Sequence, residues 1–297
     1  MTERVIHYLM SGPAHLPYLI VSLDQLRHRA NWDGAVIVHA WEESHLQCMY
    51  GIGQDNYLDV DDVVLRTPKY RGKNDQFLDK IQLMREQPKD ECSLYLDADT
   101  MPQHEDIEHL FELAETYSFC ATQFCDWVSN GGLISKRISN LQRYPEVNQT
   151  AVQKALTEPL PSVNGGVFAC MSDSLALQIW QDWANACKDI FICDETALHA
   201  VMAQEWPQGR MAIAEGGAWN CSPKHQPKEL VDADVTLWHF HGDSNVRPEK
   251  SQKGMELWWP RFEWCLNQDL GSMNEWLWTC GNSRLLKLLG ERKQNAG

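Results

Sequence analysis

Short apolar runs alternate with segments of helical period along most of this chain, and that alternation restricts it to few folds. Residues 5–10 are apolar and end at Ser11-Gly12-Pro13, after which residues 16–29 repeat apolar side chains at helical spacing. Residues 35–40 (AVIVHA) and 63–65 predict two more strands, the second closed by Thr67-Pro68. Phe77, Leu78, Ile81, Leu83 and Met84 mark a helix, residues 93–96 a fourth strand, residues 104–116 a helix and residues 118–124 a strand. Such a chain buries both element types by flanking a mostly parallel sheet with helices, so the expected class is α/β and doubly wound. The rhythm resumes at residues 166–171, with helices over 174–187 and from Asp194, and strands over 211–214 and 235–240. Residues 124–162 interrupt it with turn residues and few apolar runs, and a loop of that length in a compact domain serves as a lid or binding segment. We expect one domain over 1–250 with 124–162 as an insertion, and a helical, tryptophan-rich extension over 251–297 packed against it.

Charge narrows the function. The 297 residues carry 26 basic and 41 acidic side chains, a net charge of −15 with no long basic run, which argues against nucleic acid and anionic membranes as partners. Ten cysteines without a CxxC pair, irregularly placed, read as reduced and mostly buried thiols. No signal-peptide pattern opens the chain and no 18-residue apolar stretch follows, so we expect no transmembrane segment and a soluble, cytoplasmic protein. In that compartment the sequon Asn148-Gln149-Thr150 carries no glycan.

Two carboxylates at i and i+2 leaving a strand project to one side and can share a divalent cation. Twenty-one aspartates make about one or two Asp-x-Asp matches expected by chance, and three occur: Asp59/Asp61, Asp97/Asp99 and Asp232/Asp234. Position separates them, because open α/β sheets bind ligands beyond the carboxyl ends of their strands. Only Asp97-Ala98-Asp99 follows a strand; the other two precede theirs and read as solvated edge charges. A cation held by Asp97 and Asp99 would let an acidic protein bind a diphosphate and neutralise a leaving group. A haloacid-dehalogenase-type phosphatase would need Thr or Val at position 101, where Met101 stands, and would carry its motif on the first strand.

The run LYLDADT over 94–100 resembles the metal-binding segment of GT-A-fold glycosyltransferases, and the later motifs are similar in order to glycosyltransferase family 8, the glycogenin- and galactosyltransferase-like group. Lys80 resembles the helical lysine that precedes this segment and assists donor binding. Asn164-Gly165-Gly166-Val167-Phe168 resembles the strand beside the donor sugar, and Asp194-Glu195 with Leu198 the segment under the reacting centre, where the family usually has Gln in place of Glu195. His239-Phe240-His241-Gly242 is similar to the His-Phe-x-Gly motif whose first histidine completes the metal site. The Lys-Pro-Trp that normally follows is missing; Arg247, two residues out of register, is the candidate replacement for its diphosphate-binding lysine. The resemblance implies a GT-A-like (Rossmann-like) mostly parallel sheet with flanking helices. It also implies transfer of a hexose from a nucleotide diphosphate sugar, a UDP-sugar above all, with retention of configuration. Mn²⁺ or Mg²⁺ would be held by Asp97, Asp99 and His239, with Asp194 and Glu195 as catalytic carboxylates. An inverting enzyme would instead need a general base, for which Asp126, Asp194 and Glu195 are candidates. The acceptor, whether glycan, protein or small molecule, is not implied.

Each residue also has a plainer reading. His239 ends an apolar strand and could be a core histidine, with His241 on the same side as an alternative ligand. Asn164-Gly165-Gly166 could be a turn into a strand, although glycines also let backbone approach a ligand closely. Asp194 could simply cap its helix, and Lys80 could be a solvated charge. Ser11 and Gly12, after the first strand, should face the nucleotide, and Arg71 suits phosphate oxygens. Two rival functions stand beside the transferase: a sugar-phosphate nucleotidyltransferase, whose Gly-rich basic loop Ser11-Gly12-Pro13-Ala14-His15 lacks, and a non-catalytic carbohydrate-binding relative.

Overall fold

The computed structural model describes residues 2–41, 60–67, 74–127, 132–241, 247–267 and 287. Strand β1 (Glu3–Met10) leads through a 3-10 turn into α1 (Leu16–His28), followed by β2 (Ala35–Ala40), β3 (Asp62–Leu65), α2 (Asp75–Arg85) and β4 (Glu91–Leu96). A short β5 (Thr100–Pro102), α3 (Glu108–Tyr117) and β6 (Phe119–Trp127) come next. Then follow α4 (Leu133–Ser139), α5 (Gln149–Thr157), β7 (Pro161–Met171), α6 (Leu175–Ala186), α7 (Cys193–Glu205), β8 (Ala212–Ala214), β9 (Leu237–His239) and α8 (Gln252–Leu266).

The main sheet has the order β3-β2-β1-β4-β7-β6-β8. Pairing is parallel across β3, β2, β1 and β4 and between β6 and β8, whereas β7 runs antiparallel to both β4 and β6. The expected mostly parallel α/β sheet is present, with one reversed strand that the alternation of elements did not announce. Strand alternation sends Ile6, Tyr8 and Met10 into one apolar layer with Phe111, Trp258 and Trp259, and Leu9 into the other with Tyr95, Phe168 and Trp180. Two covered faces explain why the strands read as continuous apolar runs.

One expectation changes in detail. Residues 124–162 are not one long loop: they contain the end of β6, a 3-10 turn and helices α4 and α5, the last capped by the side chain of Asn148, which accepts from the amides of Thr150 and Ala151. The sequon asparagine is thus a helix cap. In α8, Trp258 and Trp259 are buried, Tyr18 of α1 lies against Trp258, and Arg261 pairs with the buried Asp24 of α1. Trp276 and Trp278 lie outside the described residues.

Candidate functional site

The strand order reverses where β4 lies beside β1, and a crevice opens there beyond the strand ends, the usual ligand position of such sheets. The cavity measures about 1410 Å³ and is lined by Ser11, Asp97, Ala98, Asp99, Asn164, Asp194, Glu195, His239, His241 and Arg247, among others. That exceeds the room one small ligand needs, about 300–1,000 Å³. Although the protein is strongly acidic, Lys80, Arg137, Lys224, Lys228 and Arg247 all line this cleft, gathered from separate segments.

After β4 the chain turns at Asp97, whose carbonyl accepts from the amide and hydroxyl of Thr100, and β5 then pairs antiparallel with β9 so that Thr100 faces His239. This two-stranded ladder carries His239 to the two aspartates. One donor atom from each of Asp97, Asp99 and His239 lies within 4.8 Å of the others. The Nε2 atom of His239 is buried without a hydrogen bond, 3.3 Å from Asp99 Oδ1 and 3.7 Å from Asp97 Oδ2.

The orientation of that ring is set by a chain of hydrogen bonds. The Thr122 hydroxyl donates to the Val167 carbonyl (2.8 Å), so its oxygen accepts from the Asn220 amide nitrogen (2.8 Å). The Asn220 carbonyl is then left to accept from Nδ1–H of His239 (2.8 Å). With the proton on Nδ1, the lone pair of Nε2 points at the aspartates, as a metal-ligating imidazole requires. Tyr95 likewise donates its hydroxyl to Asp97 Oδ1 (2.9 Å). An unpartnered buried imidazole nitrogen with two carboxylates is a donor set that could hold a divalent metal ion. In the free protein burial raises the Asp99 carboxyl, but His239 outweighs it and holds the pKa below its ordinary value. Burial works against protonation of His239, and the two aspartates overcome it and raise the pKa.

Asn164-Gly165-Gly166 lies inside β7, not in a turn before it, at an irregularity in the pairing with β6. A Cβ on Gly166 would stand 2.6 Å from Asp97 Oδ2 and would also strike the His239 ring; one on Gly165 would stand 3.0 Å from Asp194 Oδ2. Only glycine allows this strand to pass so close under the carboxylates. Asp194, although in the first turn of α7, makes no cap: its Oδ2 pairs with Lys80 Nζ at 2.7 Å. Both side chains are buried, and Asp194 Oδ1 has no partner. Burial disfavours the Lys80 ammonium, but Asp194 and Asp97 outweigh it and push its pKa up to about 12. Lys80 is therefore a buried cation beside the aspartates and not a solvated charge.

Glu195 is held by Arg137 (3.2 Å) and by the Asn164 amide (3.0 Å), while Asn164 Oδ1 accepts from the Gly166 amide (2.7 Å). Burial raises the Glu195 pKa, and Arg137 opposes it without cancelling it. His241 bonds the Ser222 hydroxyl (2.9 Å) and stands outside the Asp97–Asp99–His239 group. Gly12 contributes backbone at the end of β1, its carbonyl accepting from the His15 amide. Arg71, Gly242 and the side chain of Asp126 lie outside the described residues. Sequence reasoning missed Asn220, Thr122, Tyr95 and Arg137. Only Tyr95 had a signal available, since its i, i+2 spacing puts it on the same side as Asp97.

The other acidic pairs are elsewhere. Asp61 accepts from the Val36 amide and Arg27, and Asp232 pairs with Lys253 and Gln226. Asp59 lies outside the described residues.

Neither a family model nor a curated protein sequence matches the chain. Solved structures do. The galactosyltransferase LgtC in complex with donor and acceptor sugar analogues superposes with a TM-score of 0.57 at 12% identity, covering 88% of this chain and 94% of that one. Mouse xyloside xylosyltransferase 1 in its apo form gives 0.53 at 14% identity, covering 82% and 98%. The glycosyltransferase GlyE of Streptococcus pneumoniae TIGR4 gives 0.54 at 15% identity, covering 92% and 64%. At these identities the likeness concerns architecture, and the architecture of this chain is the GT-A glycosyltransferase fold.

Proposed function

We propose that this protein is a metal-dependent glycosyltransferase that moves a hexose from a nucleotide diphosphate sugar, with a UDP-sugar as the preferred donor, to an acceptor with retention of configuration. The observation that carries the reading is the convergence of Asp97, Asp99 and the orphaned Nε2 of His239 beside Gly166, with Asp194 beside Gly165 and Glu195 bonded to Asn164. The likeness to a galactosyltransferase solved with donor and acceptor analogues supports the same class. Asp97, Asp99 and His239 would hold the Mn²⁺ or Mg²⁺ ion, which would supply neutralisation of the departing diphosphate.

The chain's own groups do the rest. Lys80 and Arg247 add positive charge along the diphosphate, and Ser11 and Ala98, which line the cleft, border the nucleotide, with Gly12 following Ser11 at the end of β1. Gly165 and Gly166 let β7 run close beneath the carboxylates, and Asp194, which lines the cleft, contacts the donor sugar. Asp194 and Glu195 stabilise positive charge at the anomeric carbon, and a phosphate oxygen of the leaving group takes the acceptor proton, so no dedicated base is needed. Asn164 and Arg137 hold Glu195 in place. We assign this activity to residues 1–250, with the 124–162 segment bordering the acceptor and α8 as a packed extension. Among the described residues no helix is long and apolar enough to cross a membrane, and seven buried free thiols support a cytoplasmic setting.

Titration calorimetry of UDP with and without Mn²⁺, followed by hydrolysis of a donor panel, tests the reading. Tight UDP binding that needs no metal refutes the metal site. Binding without turnover of any donor refutes the enzyme and leaves a binding protein.

A further inference from the structure

Two cations of the cleft are held in different ways. Lys80 is fixed inside α2 by its buried pair with Asp194, whereas the half-buried Arg247 reaches the cavity from the short segment that precedes α8. A guanidinium meets phosphate oxygens through a planar fork, so a side chain carried on a connecting segment is useful only where its backbone is tied down. The ties are visible. The Arg247 carbonyl accepts from the amides of Lys250 (2.9 Å) and Ser251 (3.1 Å), which closes the 247–251 turn onto the start of α8. Ser251 then caps that helix, its hydroxyl oxygen accepting from the Gly254 amide (2.9 Å).

Both residues that follow Arg247 are seated on a helix. A Cβ on Gly254 would stand 2.4 Å from the Cα and from the carbonyl oxygen of Pro248, so only glycine lets the turn lie this close to α8. Glu249, although a carboxylate, is buried (3% exposed), and its Oε2 accepts from the Tyr18 hydroxyl at 3.0 Å. Burying a carboxylate disfavours folding, and what Glu249 gives in return is a directed bond that an apolar side chain of the same size could not make. Tyr18 belongs to α1 and lines the cleft together with Ser11 and His15. The two helices that grip the turn are themselves packed together. Trp258 lies 5.6 Å from the Tyr18 ring, Arg261 pairs with Asp24 of α1, and Trp258, Trp259 and Phe262 join the core layer of Ile6 and Tyr8.

We propose that Glu249 is a positioning residue for Arg247, and that α8 takes part in donor binding by mounting the 247–251 turn through Gly254 and the Glu249–Tyr18 bond. This rests on the transferase reading, in which Arg247 meets the diphosphate. It gives the tryptophan-rich helix a task besides packing: the end of α8 nearest the cleft sets where a cation stands. Glu249 does not line the cavity, so its effect on a ligand passes through the residues it holds.

The test is a double-mutant cycle on the full chain, read by titration calorimetry of UDP in the presence of Mn²⁺. Arg247→Ala and Glu249→Ala should each weaken UDP by about tenfold, the scale of one charge-assisted hydrogen bond, and the double variant should be no weaker than Arg247→Ala alone. Glu249→Gln keeps an oxygen for the Tyr18 hydroxyl and should bind UDP as the parent does. Affinity for Mn²⁺ alone should stay the same throughout, which shows that each variant has folded around Asp97, Asp99 and His239. If Glu249→Ala does not fold by that measure, Gly254→Ala decides in its place, since its methyl group lifts Pro248 and should weaken UDP in the parent but not in the Arg247→Ala background. The proposal is overturned if Arg247→Ala or the deciding variant binds UDP as the parent does, or if the two losses add in full, as a general loss of packing would make them. Absence of Mn²⁺-dependent UDP binding in the parent refutes the transferase reading separately, because that measurement involves no variant.

Discussion

Asp97/Asp99 and Asp232/Asp234 are the same three-letter pattern, and the molecule treats them in opposite ways. Asp232 and Asp234 fall in an exposed 3-10 turn, where Lys253 and Gln226 already satisfy Asp232. Asp97 and Asp99 leave the end of a buried strand and meet His239 across a ladder that only the folded chain creates. What makes a carboxylate pair a ligand site is the third donor and the close backbone beneath it. The spacing alone does neither.

Substitutions can break this contrast. The largest effect is expected for Asp99→Ala, which should abolish Mn²⁺-dependent UDP binding and lower donor turnover by about three orders of magnitude, several kcal/mol of charge stabilisation. Turnover close to the parent's would refute the ligand assignment. Lys80→Met leaves Asp194 buried without its cation and should cost about 3–5 kcal/mol in a denaturant titration. An unchanged midpoint would mean that the pair is not buried as described.

Asn220→Ala removes the acceptor that fixes the His239 tautomer and should weaken Mn²⁺ binding by about 10–100-fold, read by calorimetry on the metal alone. Equal affinity would show that the relay is ornamental. Acid should weaken the fold through His199, which donates to the Glu195 carbonyl and which burial holds at a pKa of about 4. The unfolded chain takes up that proton near pH 6.5 and the folded one does not. Stability is thus present above pH 6.5 and lost as pH falls toward 4, by about 1.4 kcal/mol per unit for this one group. His199→Gln should flatten that slope. The smallest effect belongs to Asp232→Ala, less than about 1 kcal/mol in stability and none on turnover, since its ion pair is exposed.

The fold was legible where burial imprints itself locally. The strands β1, β2 and β4 are covered on both faces and therefore read as apolar runs, and Asp97 is conspicuous because a charge ends such a run. The reversal of β7 left no trace, because a buried strand is equally apolar in either direction. The site was legible by residue type but not by connection. By sequence Asp194 reads as a catalytic carboxylate or a cap, and its pairing with Lys80 depends on α2 and α7 meeting. Asn220 sits in a 3-10 turn without a motif, and its partner Thr122 is 98 residues away.

The sequence by itself determined the alternation of elements, the apolar layers and the inventory of carboxylates, imidazole and glycines, because hydrophobic period and turn chemistry act over a few residues. Tertiary structure alone decided which Asp-x-Asp pair acquires a histidine, which nitrogen that histidine offers, and how an acidic chain gathers Lys80, Arg137, Lys224, Lys228 and Arg247 into one cleft. Those outcomes depend on contacts between segments far apart in the chain, and such contacts exist only once the sheet has brought its strand ends together.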